Sequence, residues 1–398
     1  MSLLDELSKK EVWERFYEYK TSLACPKDIA GKLRDFIDGL EYMPVCECID
    51  RNDEFALPAR SVISKQSSQK KRTVYTYPYA ENTVLKLLTY LILRKYDGIY
   101  SKNLFSFRPG KTAQDAVRML LRDPSIFKKY SYKVDVSDYF NSIPVDRLLP
   151  DLESVLEDDP RLFEFLKRLL EEKYVTQRGS NERILAENKG IMAGTPIASF
   201  YADIYLRELD RLFCDRHITY ARYSDDIIVF ADTEQEISEY AETIKNFLYN
   251  KELKVNPSKE SFSEPCQGFV FLGFSLKEGI VDIAPASVTK LKQKMRRKTR
   301  ALMRWRKRNA LDGEKAAKAF IRVFNRKLLE SSNDSDLSWA YWYFPMITTT
   351  ESLHTIDLYA QDCIRYLISG THTKARYNIL YDDMKKLGYR SLVNAYYG

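Results

Sequence analysis

Long apolar runs, paired cysteines and low-complexity tracts are all missing from this sequence. No stretch of 18 or more apolar residues occurs among its 398 positions, so no membrane-spanning helix and no membrane partner are expected. The opening twenty residues lack the basic, then apolar, then small order of a secretory signal and read as a charged amphipathic helix. The six cysteines form no CxxC pair, and Cys46 and Cys48 have neither a partner pair nor a nearby histidine to complete a metal site. They read as reduced thiols of a cytoplasmic protein. No internal repeat is visible. What is present is a 44% hydrophobic fraction, enough for real cores, in a length that implies two or three packed units.

The net charge of +7 is modest, but its placement is not. Between Val288 and Asn309 there are eleven Lys or Arg and no acid. Leu291, Met295, Leu302 and Met303 recur at near-helical spacing within that run, so one face is expected to pack while the rest stays basic. Such a helix suits phosphates, with Arg296, Arg297, Arg300 and Arg304 as candidate nucleic-acid contacts.

Elsewhere, mainly helical sequence to about Tyr130 carries a strand-like piece near Arg72–Tyr77, with polar breaks at Ser64–Lys71 and Ser101–Thr112. Strands are predicted at Tyr130–Val136, Tyr220–Tyr223 and Ile227–Phe230, and helices at Pro160–Tyr174, Ile197–Cys214 and Glu234–Lys251. Phe269–Leu276 reads as a strand pair or a single strand. The basic helix, a second helix at Gly313–Leu329, a polar break at Ser331–Ser335 and an aromatic-rich helical tail follow. This irregular alternation points to an α+β sheet domain flanked by helical ones.

Three segments carry the chemistry. Asp225 and Asp226 sit side by side between apolar β-type runs. Mid-strand, one of them would point into the core, where an unpaired carboxylate is costly; a hairpin tip holds both in one cleft, and crowded like charges then require a cation. A plain solvated turn is the other reading of these two residues alone. Asp135 ends a second apolar strand, too early to serve as the helix cap that Ser137 or Asp138 could supply. Three carboxylates from distant segments are what a two-metal phosphoryl-transfer site requires, one ion for a primer hydroxyl and one for a triphosphate. In the third segment, Lys189–Ser199, Gly190 and Gly194 permit close backbone approach and Pro196 stiffens a helix entry. That segment alone would pass for an ordinary loop.

Taken in order, these segments resemble the palm of reverse transcriptases. Asp135-Val-Ser-Asp-Tyr-Phe140 is similar to motif A, Gly194-Thr-Pro196 to motif B and Tyr223-Ser-Asp-Asp226 to the YxDD box. Lys71-Arg72 before Val74-Tyr-Thr-Tyr-Pro78 resembles the fingers segment that holds the incoming triphosphate. Leu104–Gly110 and Ala202–Asp210 look like the bacterial, group II intron-like branch. Lys259 falls where motif D carries its lysine, and Phe271-Leu-Gly273-Phe274 resembles the primer-grip hairpin. The likeness runs from about Arg72 to Leu329. It implies a right-hand architecture: N-terminal extension and fingers over 1–130, palm over 131–285 with a helical insertion at about 150–185, basic thumb over 286–331 and helical extension over 332–398. It also implies two Mg2+ ions (or Mn2+) on Asp135, the Val136 carbonyl, Asp225 and Asp226. Nucleotide contacts would come from Lys71, Arg72, Asp138, Tyr139, Phe140, Gly194, Pro196 and Lys259. Phe140 would exclude a 2′-hydroxyl and Lys259 would protonate the leaving pyrophosphate. Arg108, Tyr223 and Gly273 join the thumb arginines as nucleic-acid contacts.

Two positions depart from the pattern. Ala193 stands where most relatives have Gln, which puts the usual contact to the incoming nucleotide in question, and Ser224 stands where Ala is commoner. No His precedes His217, so the retron Asn-Ala-x-x-His element is missing, and the tail has no room for a maturase-plus-endonuclease end. A compact polymerase with a private tail resembles the defence-associated, unknown-group reverse transcriptases, implying an antiphage role and a dedicated noncoding RNA template. Its partners would be that RNA, dNTPs and the DNA product, with a homo-oligomer or partner protein left open. A retron- or intron-derived enzyme, an untemplated or protein-primed polymerase and a retired RNA-binding scaffold are the rivals. The tail's aromatics either stack on single-stranded RNA or fill a helical core.

Overall fold

The computed structural model describes residues 2–398 except 24, 65–70, 181, 187–188 and 331–337, so the expected polar breaks at 65–70 and 331–335 lie outside the described residues. The chain divides into two compact units, Met1–Thr21 with Asp28–Gln267, and Ser22–Lys27 with Gly268–Gly398. No described helix is long and apolar enough to cross a membrane.

The strands of the first unit are β1 (Ala59–Ser64), β2 (Lys71–Thr76), β3 (Tyr130–Asp135), β4 (Tyr174–Gln177), β5 (Arg183–Leu185), β6 (Tyr220–Tyr223), β7 (Asp226–Ala231) and β8 (Ser261–Ser263). An antiparallel sheet in the order β6-β7-β3-β8 brings Asp135 opposite Asp226. Tyr132 and Val134 of β3 and Ile227 and Val229 of β7 are fully buried. The helix Glu234–Asn250 packs on both strands. A reciprocal cap at its start, between Thr233 and Glu236, satisfies backbone N–H groups that would otherwise lack partners.

A second sheet, ordered β2-β1-β4-β5, holds the first unit's other strands. Here the structure corrects two expectations. The insertion near 150–185 is not wholly helical: after helices Val145–Val155 and Pro160–Glu171 it ends in the β4–β5 hairpin. That hairpin adds to the β1 edge through a short parallel pairing of Ala59 with Thr176 and Arg60 with Gln177. The single helix predicted over Ile197–Cys214 is two, Ala198–Tyr205 and Arg207–Asp215, because Leu206 leaves helical geometry at φ −108°, ψ 10°.

In the second unit β9 (Phe269–Phe271), β10 (Phe274–Lys277) and β11 (Ile280–Ile283) form an antiparallel meander. Phe269–Leu276 is therefore a strand pair, turned at Leu272 and Gly273, both left-handed at φ 49° and 88°. Such two-residue turns match the twist of the strands they join. These strands group with the following helices, not with the sheet of Asp135, so the boundary expected near 285 falls after Gln267. The contacts explain why. Thr348 N–H donates to the Val281 carbonyl (2.8 Å), Ser352 Oγ to Asp282 (2.8 Å), and Phe274 packs edge-on against Tyr343. Helices Pro285–Arg308, Gly313–Leu328 and Glu351–Ser369 pack on one another. Gly313 permits this, since a Cβ there would lie 2.3 Å from the Ile368 carbonyl oxygen. Leu291, Met295, Leu302 and Met303 are buried along the basic helix, as their spacing predicts.

Candidate active site: three carboxylates on a strand end and a hairpin tip

β6 and β7 pair Tyr223 with Asp226, leaving Ser224 and Asp225 as a two-residue tip. Ser224 holds a left-handed φ of 58°, a conformation that costs a non-glycine residue about 1–2 kcal/mol. Next to it Val136 N–H donates to the Asp225 carbonyl (3.2 Å), tying the tip to the end of β3. One carboxylate oxygen each from Asp135, Asp225 and Asp226 falls within 4.8 Å of the others. Burial, then the charges of Asp135 and Asp226, push the Asp225 carboxyl up to about 6. Burial likewise raises Asp226, although Lys133 Nζ at 3.6 Å opposes it. A cluster that resists its own ionisation is one a cation would relieve, and an all-oxygen donor set suits Mg2+ or Mn2+.

Lys259 already lies on this cluster. Its Nζ is 2.5 Å from Asp135 Oδ2, while Asn256 Nδ2 donates to Asp135 Oδ1 at 3.2 Å. Burial alone would lower the Lys259 ammonium, but the hydrogen bond and charge of Asp135, with Asp226 and Asp225, hold it above its usual value. Val136 is buried, and Asp138 is exposed with a left-handed φ of 45° at the start of the one-turn helix Tyr139–Ser142. Tyr139 is buried and donates to the Ala202 carbonyl (2.6 Å). Phe140 is half-buried, its ring 6.3 Å from that of Phe107 and nearly perpendicular to it.

The glycine loop packs against this helix and against β2. Ile191 N–H donates to the Phe140 carbonyl (2.9 Å) and Tyr75 N–H to the Ala193 carbonyl (2.8 Å). Gly190 is obligatory, since its φ is +53° and a Cβ would sit 2.3 Å from the Phe140 carbonyl oxygen. At Gly194, with φ +102°, a Cβ would lie 3.0 Å from the Tyr75 carbonyl oxygen. Lys71 is exposed and Arg72 half-buried on β2, the strand that this loop joins. The glycine loop, β2 and the short helix that follows Asp135 thus meet.

A family profile for reverse transcriptase (RNA-dependent DNA polymerase) matches residues 63–276, more than half of the chain. The chain belongs to the reverse transcriptase family. Its mixed helix-and-sheet fold is the right-hand polymerase fold of that family. Among solved structures, the chain is similar to apo telomerase from Candida tropicalis truncated from the C-terminal domain. Identity there is 13% and the TM-score 0.46, covering 58% of this chain and 55% of that one. The apo telomerase of the same organism gives 12% and 0.49, over 84% and 60%. Telomerase from Candida albicans with a TWJ fragment of telomeric RNA gives 10% and 0.45, over 86% and 67%. This reverse transcriptase thus spans little more than half the length of the first of these. No curated protein matches it significantly.

The remaining expected residues separate into two groups. Tyr223 is half-buried beside the acids in sequence. Arg108 is corrected: instead of facing nucleic acid, its nearly buried guanidinium clamps both carboxylate oxygens of Asp97 (2.7 and 2.9 Å) and the Ser101 carbonyl (2.7 Å). An arginine whose donors are spent internally has none to offer a phosphate. In the second unit, Gly273 sits at the β9–β10 turn, and Arg296, Arg297, Arg300 and Arg304 are exposed on the basic helix. Arg297, Arg300, Arg304 and Lys307 line a cavity of about 620 Å³ together with Met303 and Tyr366, and no acid among the described residues lines it. The aromatic tail divides the same way: Tyr343 and Tyr389 are core, while Tyr359, with Lys292 over its ring at 5.7 Å, and Tyr366 are half-buried beside the basic helix.

Sequence reasoning missed Arg222. It is fully buried beside the hairpin tip and ion-paired to Asp210. The signal was legible as a lone arginine in the apolar run Tyr220–Tyr223, with Asp203 set among the apolar residues Phe200–Leu206 before it.

Proposed function

We propose that this chain is an RNA-templated DNA polymerase that adds deoxynucleotides by nucleotidyl transfer at Asp135, Asp225 and Asp226. The observation that carries this reading is the convergence of three carboxylates from two distant segments within 4.8 Å. Two divalent ions, when bound there, supply charge neutralisation for the triphosphate and activation of the primer 3′-hydroxyl. The chain's own residues do the rest. The glycine loop, hydrogen-bonded to Phe140 and Tyr75, fixes Phe140, whose ring excludes a 2′-hydroxyl. Lys71 and Arg72 neutralise triphosphate charge from β2. Lys259 carries a proton at Nζ, held on by the acids, and is the donor for the pyrophosphate leaving group. The basic helix of the second unit, with its arginine-lined cavity, suits the nucleic-acid backbone.

The biological role we propose is antiphage defence, with a dedicated noncoding RNA as template and the cytoplasm as its place of action. The resemblance to defence-associated enzymes supports it. The test is to purify the wild type and the Asp225→Ala/Asp226→Ala double variant from the native locus and sequence the nucleic acid carried by each. One discrete RNA on both, with complementary DNA on the wild type alone, is expected. Undiminished primer extension by the double variant would overturn the site assignment.

A further inference from the structure

The first unit buries one arginine and two aspartates beside the catalytic hairpin, and none of the roles proposed above uses them. Arg222, on β6, has no solvent exposure, and neither do Asp203 and Asp210. Burying a guanidinium is costly unless its donors are matched, and here they are. Nε donates to Asp210 Oδ1 (2.8 Å) and Nη2 to Asp210 Oδ2 (2.6 Å), a two-point clamp. Nη2 also reaches the Asp203 carbonyl (3.1 Å), and Nη1 donates to the Ser224 carbonyl (3.2 Å). Tyr220 adds a hydrogen bond to Asp210 (2.9 Å) and Ser106 one to Asp203 (2.8 Å). The strand itself is pinned, with Arg222 N–H on the Asn103 carbonyl and Phe105 N–H on the Arg222 carbonyl, both at 3.0 Å.

The Ser224 contact is the informative one. Ser224 is the left-handed residue of the tip, and its carbonyl joins it to Asp225. Three like charges within 4.8 Å, only partly offset by Lys259 on Asp135 and Lys133 near Asp226, press the tip outward until a divalent cation balances them. Only two described hydrogen bonds hold the tip's carbonyls in place: Val136 N–H on Asp225, and Arg222 on Ser224. The guanidinium can do this because Asp210 fixes its plane; a lysine ammonium could not span both Asp210 oxygens and the Ser224 carbonyl.

We infer that Arg222, clamped by Asp210, is a positioning residue that holds the Ser224 carbonyl and so sets the spacing of Asp225 and Asp226 for a divalent cation. This rests on the reading of the three carboxylates as a metal site, and the experiment separates the two.

Mn2+ binding to the full-length chain is measured by electron paramagnetic resonance titration, alongside the Mg2+ dependence of primer extension. The wild type binds Mn2+ and the Asp225→Asn/Asp226→Asn variant does not; failure of that pair overturns the metal-site reading itself. Arg222→Lys is expected to weaken Mn2+ binding about tenfold or more and to raise the Mg2+ needed for half-maximal extension by the same factor, as loss of outer-shell support for metal ligands does. Asp210→Asn serves where Arg222→Lys fails to fold, because Asp203, 3.6 Å from the guanidinium, remains as counter-ion while the two-point clamp is lost. It is expected to shift both readouts in the same direction. Phe16→Leu, which disturbs the edge-on contact with Trp13 (6.1 Å) and no residue of the cluster, lowers stability but leaves Mn2+ affinity unchanged. A metal dependence in Arg222→Lys or folded Asp210→Asn that superimposes on wild type, or an equal shift in Phe16→Leu, overturns the inference.

Discussion

Replacing Asp225 by Asn should make the metal-free protein more stable while destroying its activity. The structure sets the size of the effect. A carboxyl normally titrating near 3.8 is pushed up to about 6, first by burial and then by Asp135 and Asp226. Each unit is about 1.4 kcal/mol, so the ionised group costs the folded state at most about 3 kcal/mol. The sign follows from the raised value. Below pH 4 the group is protonated in folded and unfolded chains alike and costs nothing; the penalty grows between about 4 and 6 and is complete above 6. Asn keeps the shape and never ionises. In EDTA at pH 8, Asp225→Asn should therefore melt above wild type, by roughly 5–10 °C at the upper limit for a unit of this size. The gap should close as pH approaches 4. Mg2+ should then favour the wild type alone, by about 2.7 kcal/mol at a hundredfold excess over its dissociation constant. Thermal unfolding across pH, with and without metal, reads all three effects. A variant no more stable than wild type at pH 8, or a gap independent of pH, refutes the electrostatic reasoning.

Other substitutions probe other parts of the site. Phe140→Ala should admit ribonucleotides, lowering discrimination in kcat/KM by roughly tenfold or more; unchanged ratios in single-nucleotide incorporation would assign the guard elsewhere. Gly190→Ala forces a Cβ to 2.3 Å from the Phe140 carbonyl oxygen at a positive φ, so unfolding titrations should show a loss of about 2–4 kcal/mol, with extension falling in parallel. Arg300→Ala with Arg304→Ala should flatten the slope of log affinity against log salt by roughly 1.4–1.8 in RNA-binding assays, one counterion per lost phosphate contact.

The acids were legible because their chemistry demands a particular arrangement of chain. Asp135 lies too early to cap the following helix, and Asp225 and Asp226 cannot both face inward from one strand, so a shared cleft was the economical solution. The helix Glu234–Asn250 and the basic helix were legible for a simpler reason, an apolar period that one buried face imposes, and β7 was legible as a short, continuous apolar run buried on both faces. β4 and β5 were hidden because three or four residues with half-exposed faces carry little period, and they owe their conformation to an edge more than a hundred residues earlier. The break at Leu206 was hidden because apolar spacing runs through it unchanged. Arg108 misled because exposure, not residue type, decides whether an arginine is available, and Asp97 lies eleven residues upstream with no local pattern to announce it.

The parallel pairing of β1 with β4 has a consequence for how the protein is made. β1 and β2 can form their hairpin as soon as residue 76 has left the ribosome, yet the other edge of β1 waits for residues 174–177. Through synthesis of about a hundred further residues, a nascent two-stranded ribbon presents open backbone donors and acceptors, with Val62 and Ile63 exposed along it. Closure across that span is slow relative to local folding. The interval in which the growing chain is most open to strand addition by a neighbouring copy is thus written into the order of its sheet, and the β4–β5 hairpin, when it arrives, covers the Ala59–Arg60 end of that edge.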